Sequence, residues 1–280
     1  MIFPIQMKTK KGSMPGFGLS LGFSLAYISF LILIPVSALA LYSSKISLKK
    51  FREIIFEERV LAAFKVSFSS AAVAAAVNFV FGFILAWVLA RYDFFGKKVI
   101  NACIDLPFAI PTAVAGISLA TLFSPVGFWG KLLLPFGITL GYSRAGIVIA
   151  LIFIGLPFVV RTVQPVIEEL DTAVEEAAAS LGAGYFQIFT KVIFPSILPA
   201  LITGSTMAFS RGLGEYGSVI FISSNMPYES EIVPLLIVKK LMQFDYTGAS
   251  AIGMTMLIVA FIMLLASNFL QNYMASRHSA

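Results

Sequence analysis

The 280-residue chain is 59% hydrophobic and only 12% charged, with a formal net charge of +6 and a mean hydropathy of +0.92. Charged residues are at about half the share of a soluble globular protein, and one water-exposed core of this size cannot hide so much apolar surface. A soluble enzyme, a secreted disulfide scaffold and a disordered chain are therefore excluded. One cysteine, Cys103, and one histidine, His278, leave no internal disulfide and no His/Cys metal cluster. The 20 Lys and Arg residues punctuate apolar runs instead of forming a patch, which is the pattern of charges flanking membrane spans and not a nucleic-acid footprint.

Taken in chain order, the uncharged runs give six membrane helices of about 20 to 25 residues each. The first run is bounded by Lys11 and Lys45 and holds one span over about 17–42. Its Ala38-Leu39-Ala40 resembles a signal-peptide cleavage site, but the apolar stretch exceeds a usual signal core, so a retained span is expected. The connector to residue 61 carries Lys49, Lys50 and Arg52 with Glu53, Glu57 and Glu58, and reads as an amphipathic surface helix. The second run lies between Lys65 and Arg91. The third runs from about 99 to 130 as one helix kinked by Pro107 and Pro111, with Asn101 and Asp105 one turn apart near its start. The fourth covers 145–167, with Arg161 near its end expected to reach the headgroups. The fifth starts near Ser196 and carries Arg211 and Glu215, and the sixth lies within 246–276. The expected division is a tail over 1–16, a first helix and connector over 17–61, a five-helix core over 62–272 containing the loop 168–195, and a short tail over 273–280. Basic residues divide evenly between alternate sides, so the positive-inside rule does not orient the chain.

The loop between the fourth and fifth spans carries most of the information. Thr172 followed by Glu175 is a capping-box pattern. Val174, Ala177, Ala178 and Leu181 then fall at the i, i+3, i+4, i+7 spacing of one helical face. Gly182 is placed to close the helix in a left-handed conformation. A second apolar run, 185–194, follows and is expected to stop at Pro195. The apolar face must be covered by the membrane, by the bundle or by a protein partner; helices that lie on membranes usually carry Lys and Arg on their polar face and this one is acidic, which favours the partner.

Glu176-Ala177-Ala178, Gly182 four residues on, and Val192-Ile193-Phe194-Pro195 together resemble the EAA loop of ABC importer permeases, with Val192 and Phe194 in place of the pattern's Ile and Leu. Asp105-Leu106-Pro107-Phe108 with Ala109-Ile110-Pro111, and Arg211-Gly212-Leu213-Gly214-Glu215-Tyr216-Gly217, are similar to the sulfate and molybdate branch. Ser230-Glu231-Ile232-Val233-Pro234, with Asp245-Tyr246 following, resembles T-type subunits of sulfate/thiosulfate importers. The similarity covers nearly the whole chain beyond about Pro15. It implies an all-α, six-helix permease of the type I importer fold in the cell (inner) membrane, with both termini cytoplasmic. It further implies a coupling helix formed by Val174, Glu176, Ala177, Ala178, Leu181 and Gly182 that docks on two ABC ATPase subunits. ATP and Mg would sit on those subunits and no cofactor on this chain. A second, related permease (a heterodimer, or a homodimer) and an extracytoplasmic sulfate-binding protein would complete the complex in the lipid bilayer. Molybdate or tungstate is the alternative cargo, and an ion-coupled secondary transporter the alternative machine.

Charged residues within membrane helices face a bundle interior or a water-filled path. Arg211 and Glu215, four apart, are therefore either a self-neutralising packing pair or part of an oxyanion path with Ser210 and Thr206 as hydroxyl donors. Gly212, Gly214 and Gly217 are expected to allow close backbone approach or a helix break there. The Gly-Lys pairs at 96–97 and 130–131 lack the Ser/Thr and the upstream glycine of a phosphate loop. Without that loop the chain is not expected to hydrolyse ATP, and nucleic acid is not an expected partner.

Overall fold

The computed structural model describes residues 16–278, so the N-terminal tail with Lys8, Lys10 and Lys11 lies outside the described residues, as do the last two residues. All regular elements among the described residues are helical, and six are long and apolar enough to cross a membrane. The chain divides into two units, residues 16–47 and 48–278.

The first unit is one helix, Phe17–Ser44, apolar around its whole circumference, with Phe17, Leu19, Phe23 and Phe30 all exposed. A helix greasy on every side is at home only in lipid. It passes through a wider π turn at Ser29–Leu33 just before Pro35, which sits in the first turn of the segment that follows. There a missing N–H costs least.

The second unit begins with the short amphipathic helix Leu48–Ile55. Three long helices then make its centre: Glu58–Arg91, Arg144–Glu168 and Tyr185–Leu213. Their buried faces meet in a cluster that includes Leu89, Val159, Val160, Val163, Ile167, Ile197 and Leu201. Close contact at Val159 requires a glycine: a Cβ on Gly204 would lie 2.9 Å from the Val159 Cα. At the other end of the bundle Val66, Ala71, Ile147, Leu151, Leu213 and Leu235 form a second cluster. Many large apolar side chains remain outward, among them Val80, Phe81, Ile84, Phe261 and Ile262; for a membrane protein the bilayer takes the place of water around them.

Two helix boundaries differ from the sequence expectation. The third apolar run is not one kinked helix: it is divided into Lys97–Ala109, Thr112–Phe123 and, after a turn, the start of Phe128–Leu133. Pro107 is accommodated inside the first, whereas Pro111 forces Ile110 into an extended conformation (φ −91°, ψ 133°) and starts the second. Conversely, Pro195 does not stop the run from Tyr185. The chain stays helical to Leu213 because a π turn at Phe189–Ile193, in which the Phe194 N–H reaches back to the Phe189 carbonyl, delivers Pro195 to a first-turn position.

Candidate functional site

The Arg144–Glu168 helix runs almost directly into the loop helix Thr172–Ser180. Asp171 is its N-cap: the carboxylate accepts the Ala173 N–H at 2.9 Å. The Thr172–Glu175 capping box does not form. A carboxylate is the stronger acceptor at the positive end of a helix, and Glu175 turns away to form an ion pair with Arg91, the last residue of the Glu58–Arg91 helix. The Arg91 guanidinium also lies 5.3 Å from the centre of the Trp87 ring. The far end closes as expected. Gly182 takes φ +85°, its N–H bonds the Ala179 carbonyl at 2.9 Å, and the Ala183 N–H bonds the Ala178 carbonyl at 3.1 Å. This pair of bonds is the Schellman closure, which suits glycine at the left-handed position.

Of the predicted apolar face, Ala178 turns to the bundle and packs with Ala183 against the core cluster. Val174 is 53% exposed and Leu181 90%; Ala177 and Glu176 also face outward. Tyr185 at 96% and Phe186 at 79% extend the same exposed area. These two residues were legible as apolar in the sequence, and they follow Leu181 directly across the Gly182–Gly184 turn. A capped helix is thus anchored on one side and leaves an apolar surface on the other, immediately beyond the ends of three bundle helices.

Arg161 does not reach for headgroups. Its guanidinium holds both carboxylate oxygens of Asp105 (2.8 and 2.7 Å), the Asn101 side chain and carbonyl (both 3.0 Å) and Gln164 Oε1 (3.1 Å). Gln164 in turn donates to Glu168 at 2.8 Å. The bidentate fork of Arg matches a carboxylate better than bulk solvent does, so Asn101 and Asp105 are the clamp by which the Lys97–Ala109 helix is tied to the root of the loop helix.

The second candidate region is the end of the Tyr185–Leu213 helix. That helix ends at Leu213, so Arg211 is in its last turn and Glu215 is just past it. They form an ion pair at 2.7 Å. Glu215 is 2% exposed, and its other oxygen accepts the Ser218 N–H and hydroxyl at 2.9 and 3.0 Å. Its geometry is that of an anchor for the turn into the short helix Val219–Ile222, while Arg211 keeps about a third of its side chain accessible. Thr206 and Ser210 lie one turn apart on the same helix, both partly exposed. Gly212 is buried but a Cβ there would meet only ordinary contacts at 3.6 Å, and Gly214 is a helix end at φ −88°. Of the three glycines, the close approach is at Gly217, where a Cβ would lie 2.2 Å from the Thr112 hydroxyl. There the segment after Glu215 crosses the start of the Thr112–Phe123 helix, below Pro111.

Sequence reasoning singled out Glu231 only as part of a resemblance. It is 1% exposed and is held by Arg59 (2.7 and 2.8 Å) and Lys239 (2.7 Å), which also donates to the Asn225 carbonyl at 3.0 Å. This network ties the start of the Glu58–Arg91 helix to the 223–232 loop and the Val233–Met242 helix. No group of three or more potential metal ligands occurs among the described residues.

Residues 78–279 match the family described as binding-protein-dependent transport system inner membrane component. The chain is 46% identical over 264 residues to the sulfate transport system permease protein CysT of Escherichia coli (strain K12), a match that covers 94% of this chain and 95% of that protein. It is also 46% identical over 257 residues to the protein of the same name from Synechococcus elongatus, covering 92% of each. Among solved structures it is similar to a chain of a bacterial ABC transporter involved in the import of the acidic polysaccharide alginate, with TM-score 0.76, 18% identity and 91% and 94% of the two chains covered. A chain of the inward-facing MetNI methionine ABC transporter aligns with TM-score 0.57 and 17% identity, covering 77% and 96%. At such identities the two structures speak to the fold.

Proposed function

This chain belongs to the family of binding-protein-dependent transport system inner membrane components, and we propose that it is the permease subunit of an ATP-driven importer of sulfate, with thiosulfate as a second cargo. The substrate follows from the relatives that match almost end to end, both named for sulfate transport. The observation that carries the mechanism is the exposed apolar surface made by Leu181, at the end of a helix capped at both ends, and by Tyr185 and Phe186 just past the turn that follows it. Side chains of this size, grouped at a polar end of a membrane bundle, mark a surface that a protein partner covers.

In this reading that surface docks on ABC ATPase subunits, which hold ATP and Mg and perform the hydrolysis. The loop helix and both termini are then cytoplasmic. A second, related permease completes the pathway, and an extracytoplasmic binding protein delivers the anion. Closure of the ATPases moves the loop helix. The Glu175–Arg91 ion pair carries that motion to the Glu58–Arg91 helix, and the Glu168–Gln164–Arg161–Asp105 chain carries it to the Lys97–Ala109 helix. Coupling through two polar contacts to two different helices lets one displacement re-pack the bundle.

The test is co-purification with the ATPase subunits. Gly182→Asp places a side chain at φ +85°, at a strain of about 1 kcal/mol, and a charge beside Leu181; Glu176→Lys reverses the charge of the exposed face. Both are expected to lower the recovered ATPase about tenfold, the equivalent of about 1.4 kcal/mol. Full recovery and normal uptake in both would remove the docking role.

Arg211, with Thr206 and Ser210 beside it, is our proposed contact for the anion during passage. Its partly accessible guanidinium is held in place by Glu215, which also weakens its attraction so that the anion is not trapped. Arg211→Gln is expected to reduce sulfate uptake by the assembled complex at least tenfold, with Arg211→Lys intermediate because it keeps the charge without the fork. Unchanged uptake and unchanged sulfate dependence in Arg211→Gln would take this residue out of the path.

A further inference from the structure

At the end of the second unit opposite the loop helix, Arg144 and Lys65 are close to one another in the fold and neither has a carboxylate in ion-pair range among the described residues. Arg144, the first residue of the Arg144–Glu168 helix, donates to the Ser69 hydroxyl. Lys65, exposed, lies one turn before Ser69 on the Glu58–Arg91 helix. Arg59 and Lys239, by contrast, are paired with Glu231, and Lys240 with Asp245. Between Arg144 and the Glu58–Arg91 helix opens a cleft of roughly 300 Å³, lined by Ser69, Ser70, Val73, Arg144, Ala145 and Val148.

Two further features say what such a cleft would take. Ser70 is 1% exposed and its hydroxyl has no hydrogen-bond partner. A buried hydroxyl left unpaired costs about 1–3 kcal/mol, so a ligand oxygen within reach of it recovers that cost. The polar rim also has an apolar floor. Val73, Val80 and Ile84 form an outward stripe down the same helix, all about half exposed. Lys65 marks the point where the uncharged run begins, so the two cations sit where the hydrocarbon of the bilayer gives way to its headgroups.

We infer that this cleft binds the phosphate of an anionic phospholipid. Arg144, steadied by the Ser69 hydroxyl that accepts from it, holds the phosphate oxygens, Lys65 adds charge from one turn above, and an acyl chain runs along Val73, Val80 and Ile84. Arg144 presents the fork that suits a phosphate, and long cations at a membrane boundary attract anionic headgroups. A free sulfate ion fits the cationic rim but has no use for the apolar floor, and the lipid satisfies both. The site is independent of the transport reading: it depends on neither the loop helix nor Arg211.

The test uses the complete transporter complex in nanodiscs of equal parts phosphatidylglycerol and phosphatidylcholine, followed by detergent extraction and native mass spectrometry. Wild type is expected to retain phosphatidylglycerol in preference to phosphatidylcholine. Arg144→Gln and Lys65→Gln are each expected to lower the retained phosphatidylglycerol about fivefold, the equivalent of about 1 kcal/mol per surface cation. Arg144→Lys should restore part of it. Thermal unfolding in detergent confirms that the variants are folded, and Lys65→Gln, an exposed helix position, carries the test if Arg144→Gln is not. Three results would overturn the inference: no lipid preference in wild type, retention unchanged in Lys65→Gln and in any folded Arg144→Gln, or displacement of the lipid by millimolar sulfate. The last would make the cleft a free-oxyanion site.

Discussion

Leu181→Asp should separate the permease from its ATPase subunits and abolish sulfate uptake, while the permease alone unfolds at an unchanged temperature. The side chain is 90% exposed and contributes to none of the core clusters, so the fold loses nothing when it changes. Gly182, which closes the helix, is untouched. On docking, a leucine in the middle of an apolar patch contributes about 1.5–3 kcal/mol through burial. A carboxylate in its place loses that contribution and must also be stripped of water against an apolar partner. Central anchors of this type are worth 2 kcal/mol or more, so complex recovery should fall at least about thirtyfold. Ser180→Ala, in the preceding position, removes only a hydroxyl bonded to its own helix and should leave recovery unchanged. A Leu181→Asp complex that purifies with its full complement of ATPase would refute the assignment of this surface.

The largest effect on stability is expected at Glu231→Ala. The carboxylate has almost no solvent contact and holds two cations from two different helices. Removing one partner of a buried charge network leaves the others uncompensated and costs about 3–5 kcal/mol. Arg59 and Lys239 are each about a quarter to a third exposed and can recover part of their hydration, so the lower end, about 3 kcal/mol, is the expectation. Thermal unfolding of the detergent-solubilised chain measures it. Glu231→Gln keeps the shape and should fall between wild type and Ala.

The same residue sets a pH dependence. Burial raises the Glu231 pKa, but the hydrogen bonds from Arg59 and Lys239 outweigh it and hold the group below its ordinary value of 4.5. A depressed carboxylate contributes stability that is complete above its unfolded pKa and is lost as pH falls through the lower folded value. Wild type should therefore lose stability relative to Glu231→Gln on acidification below about pH 4.5 and show no such relative loss at neutral pH. A constant difference between the two proteins across the acid range would contradict the role given to this carboxylate.

The amino-acid sequence by itself determined the six spans, the existence of the loop helix and its closure at Gly182. Each of these is a local matter. A run of about 20 uncharged apolar residues needs lipid whatever surrounds it, and a glycine after an amphipathic turn satisfies carbonyls only a few residues back. The apolar surface proposed for docking was half legible: Val174 and Leu181 are on the predicted face and exposed, but Ala178 is turned inward and Tyr185 and Phe186 add to it from beyond the turn. Even among local features, competing donors and acceptors shifted the result by one position, as when Asp171 displaced Thr172 at the cap.

Tertiary structure decided everything that depends on which helix faces meet. Arg161 finds Asp105 and Asn101 across 56 and 60 residues of sequence, and Arg59 finds Glu231 across 172. Nothing in the spacing of these residues announces a partner, because a charge flanking a membrane span reads the same whether it meets a headgroup or a carboxylate. Packing makes the choice by bringing the carboxylate within reach of the cation and, at Glu231, by also removing water. The same holds for proline: Pro111 breaks a helix and Pro195 does not, because the turn preceding Pro195 can widen and place its missing donor where no bond is lost.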